Sequence, residues 1–80
     1  MDRMISDEEI AEIGRKLKEL REKLGLTQQA FADELYWDVS SYRKIESGKT
    51  LMTLDKAIQI HRKYEVDLND FVADDPYNED

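Results

Sequence analysis

Apolar residues recur at three- and four-residue steps along most of the chain, and this pattern predicts helices and no strand. The first helix is expected from Asp7 to Leu24, after a capping-box pattern formed by Ser6 and Glu9. Gly25 occupies the position at which a helix commonly ends in a left-handed residue. The apolar stripe of this helix consists of Ile10, Ile13, Leu17, Leu20 and Leu24.

Four shorter helices are expected after the first, each preceded by a polar side chain that can cap its first turn. Their bounds are Gln28 to Leu35, Val39 to Ser47, Leu54 to Tyr64 and Leu68 to about Ala73. The inward positions expected of the fourth helix are Leu54, Ala57, Ile58, His61 and Tyr64. The pattern predicts an all-α domain at 10–73, an acidic N-terminal extension with the first-helix cap at 1–9, and a disordered acidic tail at 74–80.

The composition bounds the class of protein. Eighty residues, 40 % of them hydrophobic, suffice for one domain with a modest core. The absence of cysteine excludes disulfide scaffolds and thiolate metal sites. No apolar run approaches the roughly 20 residues of a membrane span, and the first nine residues lack an apolar signal segment. We therefore expect a cytoplasmic protein with no membrane partner, no evident small-molecule effector and no cofactor.

The net charge of −7 by itself argues against a nucleic-acid partner. The charge is, however, distributed unevenly along the chain. From Arg15 to Lys63 the chain carries eleven basic and seven acidic residues, a net +4. Residues 1–14 carry −4, and residues 65–80 carry −7. Because salt screens charges beyond about 8–10 Å, the local charge of the middle segment matters more than the total. A DNA partner is therefore not excluded.

One face of the third helix is polar and contains no acid. It consists of Ser40, Arg43, Lys44 and Ser47, at i, i+3, i+4 and i+7. These side chains can bond base edges or phosphates, and a major groove admits one helix of this kind. The second and third helices are joined by about three residues, which is helix-turn-helix spacing. An ordinary solvated helix face is the alternative interpretation.

Two further pairs of residues favour contacts to phosphate. Gln28 and Gln29 lie in the first turn of the second helix, where unpaired backbone N–H groups attract an anion. Lys49 and Thr50 follow the third helix and can hold a second phosphate.

Several short motifs occur together between Gly14 and Phe71. They are Arg15 and Arg21, Gly25-Leu26-Thr27-Gln28, Phe31-Ala32, Leu35, Ile45-Glu46-x-Gly48-Lys49 and Val66-x-Leu68-x-x-Phe71. In this combination the chain resembles the lambda-repressor-like (Cro/CI, xenobiotic-response-element) helix-turn-helix family. The resemblance implies a compact five-helix domain that inserts its third helix in the major groove of double-stranded DNA. It also implies a sequence-specific transcriptional regulator, a repressor, that acts as a homodimer on an inverted repeat in the nucleoid of a prokaryote or phage.

The resemblance assigns expected roles to individual positions. Val39, Ser40, Arg43 and Lys44 would read bases. Gln28, Ser41, Lys49 and Thr50 would contact phosphates, as Gln29 and Ser47 can by their own positions. Arg21 and Glu46 would form a semi-buried ion pair that holds the third helix, and its disruption would cost about 3 kcal/mol.

Three positions depart from the family pattern. Tyr36 stands where a small residue usually opens the turn, so a positive φ there would strain it. Asp38 replaces a hydroxyl residue and brings a negative charge towards the DNA backbone. Leu51 and Met52 replace a polar-Pro pair and either form an exposed protein-contact patch or pack inward. These departures and the acidic ends keep a second function class open: a protein-interaction module, antitoxin or anti-repressor with weak or no DNA binding.

Other residues indicate structure more than chemistry. Trp37 is expected to be a buried turn aromatic between the second and third helices, with ligand stacking as the alternative. His61, the one histidine, is expected to be a partly buried structural residue because no partner for zinc or acid–base chemistry accompanies it. The acids Asp67, Asp70, Asp74 and Asp75, with Asn69, do not fit a calcium loop. We therefore expect neither an enzyme nor a metal site.

Overall fold

The computed structural model describes residues 6–72, which form four α-helices, a single 3-10 turn and no β-strand. The helices are α1 (Asp7–Lys23), α2 (Gln28–Leu35), α3 (Val39–Glu46) and α4 (Leu54–Tyr64), and the 3-10 turn is Leu68–Phe71. The all-α class is confirmed, but the expected fifth helix is a four-residue 3-10 turn that ends at Phe71. The tail at 74–80 and most of the N-terminal extension lie outside the described residues.

Each α-helix begins where its sequence supplies a cap. Ser6 and Glu9 form the reciprocal capping box of α1, in which Ser6 Oγ accepts from the Glu9 backbone N–H at 3.1 Å. The side chains of Thr27, Asp38 and Thr53 accept in the same way from the first turns of α2, α3 and α4. These bonds satisfy backbone donors that have no partner inside the helix, so they fix the helix starts.

A residue with a positive φ angle follows each of the four helices. After α1, Gly25 adopts φ 73°, as its sequence position predicts. Gly48 adopts φ 83° after α3, and Glu65 adopts φ 56° after α4. After α2 the left-handed residue is Tyr36 itself, at φ 62°, with its side chain 94 % exposed. The turn between α2 and α3 therefore keeps a left-handed backbone although its residue is an aromatic, at a cost of about 1 kcal/mol or more.

Aromatic side chains from α2, α3 and their connection form the centre of the core. Phe31 packs edge-on against Tyr42 with ring centroids 5.6 Å apart, and both are fully buried. Trp37, in the turn, is buried beside Tyr42 and donates from Nε1 to Gln59 Oε1 of α4 at 2.9 Å. Trp37 therefore is the buried turn aromatic that its position predicts, and it also ties the turn to α4.

The inward face of α4 differs from the expected one. Ala57 and Ile60 are its buried residues, whereas Leu54 is 58 % exposed and His61 is exposed. The prediction of a partly buried His61 is wrong because Ile60, one position earlier, occupies the buried face together with Ala57. His61 Nδ1 instead lies 2.6 Å from the carbonyl oxygen of Val66, at the end of the helix.

Met52 and Leu51 follow the inward-packing alternative. Met52 is a buried member of the core, and Leu51 is half-buried against it. The pair therefore does not form an exposed patch, since the connection before α4 turns both side chains towards the core.

Gly14 explains how closely α1 approaches α3. A Cβ atom at this position would lie 2.5 Å from the carbonyl oxygens of Ile45 and Glu46. The C-terminal end of α3 therefore rests directly on the middle of α1, and only glycine permits this contact.

Candidate nucleic-acid interface

Helix α3 has one buried face and one exposed face. Tyr42 and Ile45 are buried, and the four polar residues on the opposite side are exposed: Ser40, Arg43, Lys44 and Ser47. The polar ridge predicted from the helical spacing is therefore a continuous solvent-facing surface. We call these four residues the α3 ridge.

Val39 and Ser41 flank the ridge differently. Val39 is half-buried and packs against the core, so less of it faces solvent than of its neighbours. Ser41 is exposed, and its backbone N–H donates to Asp38 Oδ2 at 3.0 Å. The Asp38 carboxylate is thus engaged by the first turn of α3.

A part-buried ion pair fixes α3 against α1. Arg21 Nε donates to Glu46 Oε2 at 2.8 Å, and Arg21 Nη2 donates to Glu46 Oε1 at 3.1 Å. The side chains are 13 % and 7 % exposed, respectively. Arg21 Nη1 also donates to the carbonyl oxygen of Leu26 at 2.9 Å, so the same guanidinium holds the connection between α1 and α2.

The Glu46 carboxylate accepts from two further side chains. The Tyr42 hydroxyl donates to Oε2, and Gln28 Nε2 donates to Oε1 at 2.9 Å. Burial alone would raise the pKa of Glu46, but the hydrogen bonds from Arg21, Tyr42 and Gln28 outweigh it and hold that pKa below its usual value. Burial, together with the bond to this carboxylate, raises the pKa of the Tyr42 hydroxyl. Glu46 is therefore an ionised, fully bonded centre at neutral pH.

Gln28 connects this centre to the α3 ridge. While its Nε2 donates to Glu46, its Oε1 accepts from Arg43 Nε at 3.3 Å. Gln28 is half-buried at the start of α2, and Arg43 is exposed on α3. The structure therefore brings together a residue expected to contact phosphate and a residue expected to read a base.

Gln29 lies apart from this group. Its Nε2 donates to Asp33 Oδ1 at 2.9 Å, one turn further along α2. The amide is thus occupied by a carboxylate of the same helix, and the structure does not bring it to the α3 ridge.

Lys49 and Thr50 are exposed beyond the end of α3. The backbone N–H groups of both residues donate to the carbonyl oxygen of Lys44, at 2.9 and 3.2 Å. The turn at Gly48 therefore folds them back beside the last turn of α3, and Ser47 Oγ donates to the same carbonyl at 3.2 Å. These residues lie at the same end of the α3 ridge.

Sequence reasoning missed two supporting residues. Gln59 accepts from Trp37 and donates from Nε2 to the carbonyl oxygen of Leu35 at 2.8 Å, which secures the end of α2. Tyr42 is buried on the inner face of α3, and its hydroxyl donates to Glu46. The spacing of four residues between Tyr42 and Glu46 places both on one helix face and was the available signal.

Two short helices joined by a tight turn, the second of which presents a polar ridge, form a helix-turn-helix unit. A family model described as helix-turn-helix matches residues 17–71, which is more than half of the chain. The chain belongs to the helix-turn-helix family, and the recognition made from its motifs is confirmed. Members of this family are DNA-binding regulatory domains and not enzymes, and the chain is such a DNA-binding domain. No solved structure matches the chain.

Residues 6–72 contain neither a membrane-spanning helix nor a cluster of metal ligands. No helix there is long and apolar enough to cross a bilayer. Within the same residues, no three histidine or acidic side chains lie close enough to one another to hold a metal ion.

Proposed function

We propose that this protein is a sequence-specific transcriptional repressor that places α3 in the major groove and binds an inverted repeat as a dimer. The observation that carries the proposal is the chain of hydrogen bonds from Arg21 through Glu46 and Gln28 to Arg43. A base-reading side chain needs a fixed orientation, since a guanidinium that bonds two acceptors of one guanine must meet both together. Gln28 supplies that orientation from the protein interior.

The charge of the ridge supports DNA as its ligand. Arg43 and Lys44 are its charged members, and Lys49 follows directly after the helix. Phosphate contacts of this kind supply affinity and register, while the base contacts of Ser40 and Arg43 supply discrimination.

The proposal of a dimer rests on the limited reach of one helix. A single α3 contacts one half-site, and two-fold symmetric half-sites about one helical turn apart double the contacts without enlarging the domain. The net charge of −7 also weakens the affinity of one copy for DNA, and the phosphate contacts make that affinity sensitive to salt. Repression requires only that the bound dimer occupy the promoter.

The proposed function is tested by selection from random DNA duplexes at low salt, with wild type and Arg43→Ala in parallel. We expect wild type to enrich a two-fold symmetric motif, and the variant to lose preference at one base pair of each half-site. If wild type enriches no motif, the proposal of sequence-specific binding is wrong. Light scattering of the complex with the selected duplex then gives the number of chains bound, and a single chain would contradict the dimer.

A second candidate function, a protein-interaction module such as an antitoxin or anti-repressor, is favoured by one observation. Tyr36 is an aromatic that is 94 % exposed in the turn before α3, where it is held at a positive φ. A strained, exposed aromatic is suited to a protein contact. A chain that enriches no DNA motif and loses a co-purifying protein upon Tyr36→Ser would support this function over the first.

A further inference from the structure

A cleft of about 330 Å³ lies between α3 and the start of α4. Ile45 and Leu51 form the apolar part of its lining, and its polar lining consists of Ser41, Lys44, Thr50, Thr53 and Lys56. Two lysines and three hydroxyl residues therefore line the cleft, and no acidic residue does. This donor set matches an anion with several acceptor oxygens.

Lys56 is the member of this lining that the sequence did not indicate. It lies in α4 and is half-buried, with Nζ 5.1 Å from the centroid of the Trp37 ring. The Trp37 ring is itself fixed by its hydrogen bond to Gln59 at 2.9 Å. The cation–π contact limits the freedom of the Lys56 side chain. Trp37 does not itself line the cleft, whereas Lys56 does, so a phosphate bound there would engage a side chain that is already partly ordered.

We propose that Lys56 completes a phosphate-binding site in this cleft, together with Ser41, Lys44 and Thr50. The ligand is a phosphate group, and with the proposed function, on which this assignment of the source rests, it is a phosphate of the DNA backbone beside the groove that α3 enters. Three of these residues already belong to the expected DNA surface, and Lys56 adds to them a positive charge from a different helix. Asp38 accepts from the Ser41 backbone N–H but does not line the cleft.

Lys63 provides a matched control. It is also a lysine of α4, and its Nζ lies 5.7 Å from the centroid of the Tyr64 ring, yet it does not line the cleft. Lys56→Gln and Lys63→Gln therefore remove the same charge from the same helix and the same type of aromatic contact. Only the first changes the proposed site.

The first arm measures DNA affinity between 50 and 200 mM salt for wild type, Lys56→Gln, Lys56→Arg and Lys63→Gln. Lys56→Gln is expected to reduce the slope of log K against log salt by about one on specific and non-specific duplexes. Wild type would then lose about three- to fourfold more affinity than this variant over that range. Lys56→Arg and Lys63→Gln are expected to keep the wild-type slope.

The second arm titrates wild type and the same variants with pyrophosphate and follows backbone amide resonances by NMR. Saturable shifts at Ser41 and Thr50 that Lys56→Gln abolishes and Lys63→Gln retains support the site even when the chain binds no DNA, and they then assign a free phosphate as the source. A reduced salt slope assigns the DNA backbone. If Lys56→Gln matches Lys63→Gln in both arms, the proposed site is wrong, whatever the DNA selection shows.

Discussion

The Arg21 guanidinium and the Glu46 carboxylate form a two-point contact, with N–O distances of 2.8 and 3.1 Å, between α1 and the last residue of α3. Because Arg21 also bonds the carbonyl oxygen of Leu26, one side chain fixes α3 relative to both α1 and the start of the helix-turn-helix. Most of both side chains is shielded from water, so removal of one partner leaves the other charge poorly solvated.

Arg21→Ala is expected to lower the free energy of unfolding by about 3 kcal/mol, since it leaves Glu46 charged and partly unpaired in the interior. Arg15→Ala is the matched control on the same helix. Arg15 pairs with Glu12 and Glu19 at the surface, with 53 % of its own side chain exposed, so solvent screens these pairs and the loss of stability should be much smaller. Urea denaturation of both variants measures the difference, and equal losses would contradict the role given to the buried pair.

The stability contributed by Glu46 is expected to disappear in acid. The pKa of Glu46 is lower in the folded chain than its ordinary value of 4.5. The stabilisation is therefore complete above that value and is lost as the pH falls through the folded pKa. Glu46→Gln should be less stable than wild type at pH 7, and the gap should narrow as the pH falls below 4.5 in urea titrations.

Glu12→Gln is the control for this acid dependence. The side-chain bond from Arg15 lowers the pKa of Glu12 as well, but this pair is exposed and screened by solvent, so the variant should differ from wild type much less than Glu46→Gln does in the same titrations. A gap for Glu46→Gln that is independent of pH would show that the carboxylate acts through its shape and not through its charge.

The pairing of Arg21 with Glu46 was predictable because short motifs indicate a family resemblance, although the two residues are 25 positions apart in the sequence. The helix starts at Ser6, Thr27 and Asp38 were predictable because capping is a local interaction. The α4 face was not predictable in the same way, since Leu54 and Ile60 are both apolar and only tertiary packing decides which is buried.

The hydrogen bond between Gln28 and Arg43 could not be predicted from the sequence either. An exposed amide at a helix start can contact a phosphate, a carboxylate or a guanidinium. Which of these Gln28 contacts depends on the distance between α2 and α3, and this distance follows from the packing of Phe31 against Tyr42.

Gly14→Ala should destabilise the protein although alanine is the better helix former. Helix propensity alone favours alanine over glycine by about 1 kcal/mol in a helix interior. At Gly14, however, the added Cβ would lie 2.5 Å from the carbonyl oxygens of Ile45 and Glu46. We expect a net loss of about 1–3 kcal/mol in thermal or urea unfolding. A variant more stable than wild type would contradict the close contact of α1 with α3.

Tyr36→Gly should stabilise the chain by up to about 1 kcal/mol, because glycine adopts φ 62° without a steric penalty and the exposed ring contributes no packing. Gly25→Ala tests the same backbone penalty by the opposite change, since it adds a side chain at a positive φ. At Gly25, φ is 73° and nothing lies within 4 Å of an added Cβ, so the loss of about 1 kcal/mol would come from the backbone alone. Changes in melting temperature of opposite sign are the expected result, and a destabilised Tyr36→Gly would indicate that the ring makes a contact in solution.

Arg43→Ala and Lys49→Ala should separate base reading from phosphate contact. Arg43 is oriented by Gln28, so its loss should cost about 1–3 kcal/mol on the selected sequence and little on unrelated duplexes. Lys49 lies beyond the end of α3, and its loss should weaken binding to all duplexes alike and lower the salt slope by about one.

Gln28→Ala should reproduce part of the Arg43→Ala effect on DNA affinity. The double variant should lose less affinity than the sum of the two single losses, because both changes remove the same oriented guanidinium. Strictly additive losses would mean that Gln28 and Arg43 contact DNA independently.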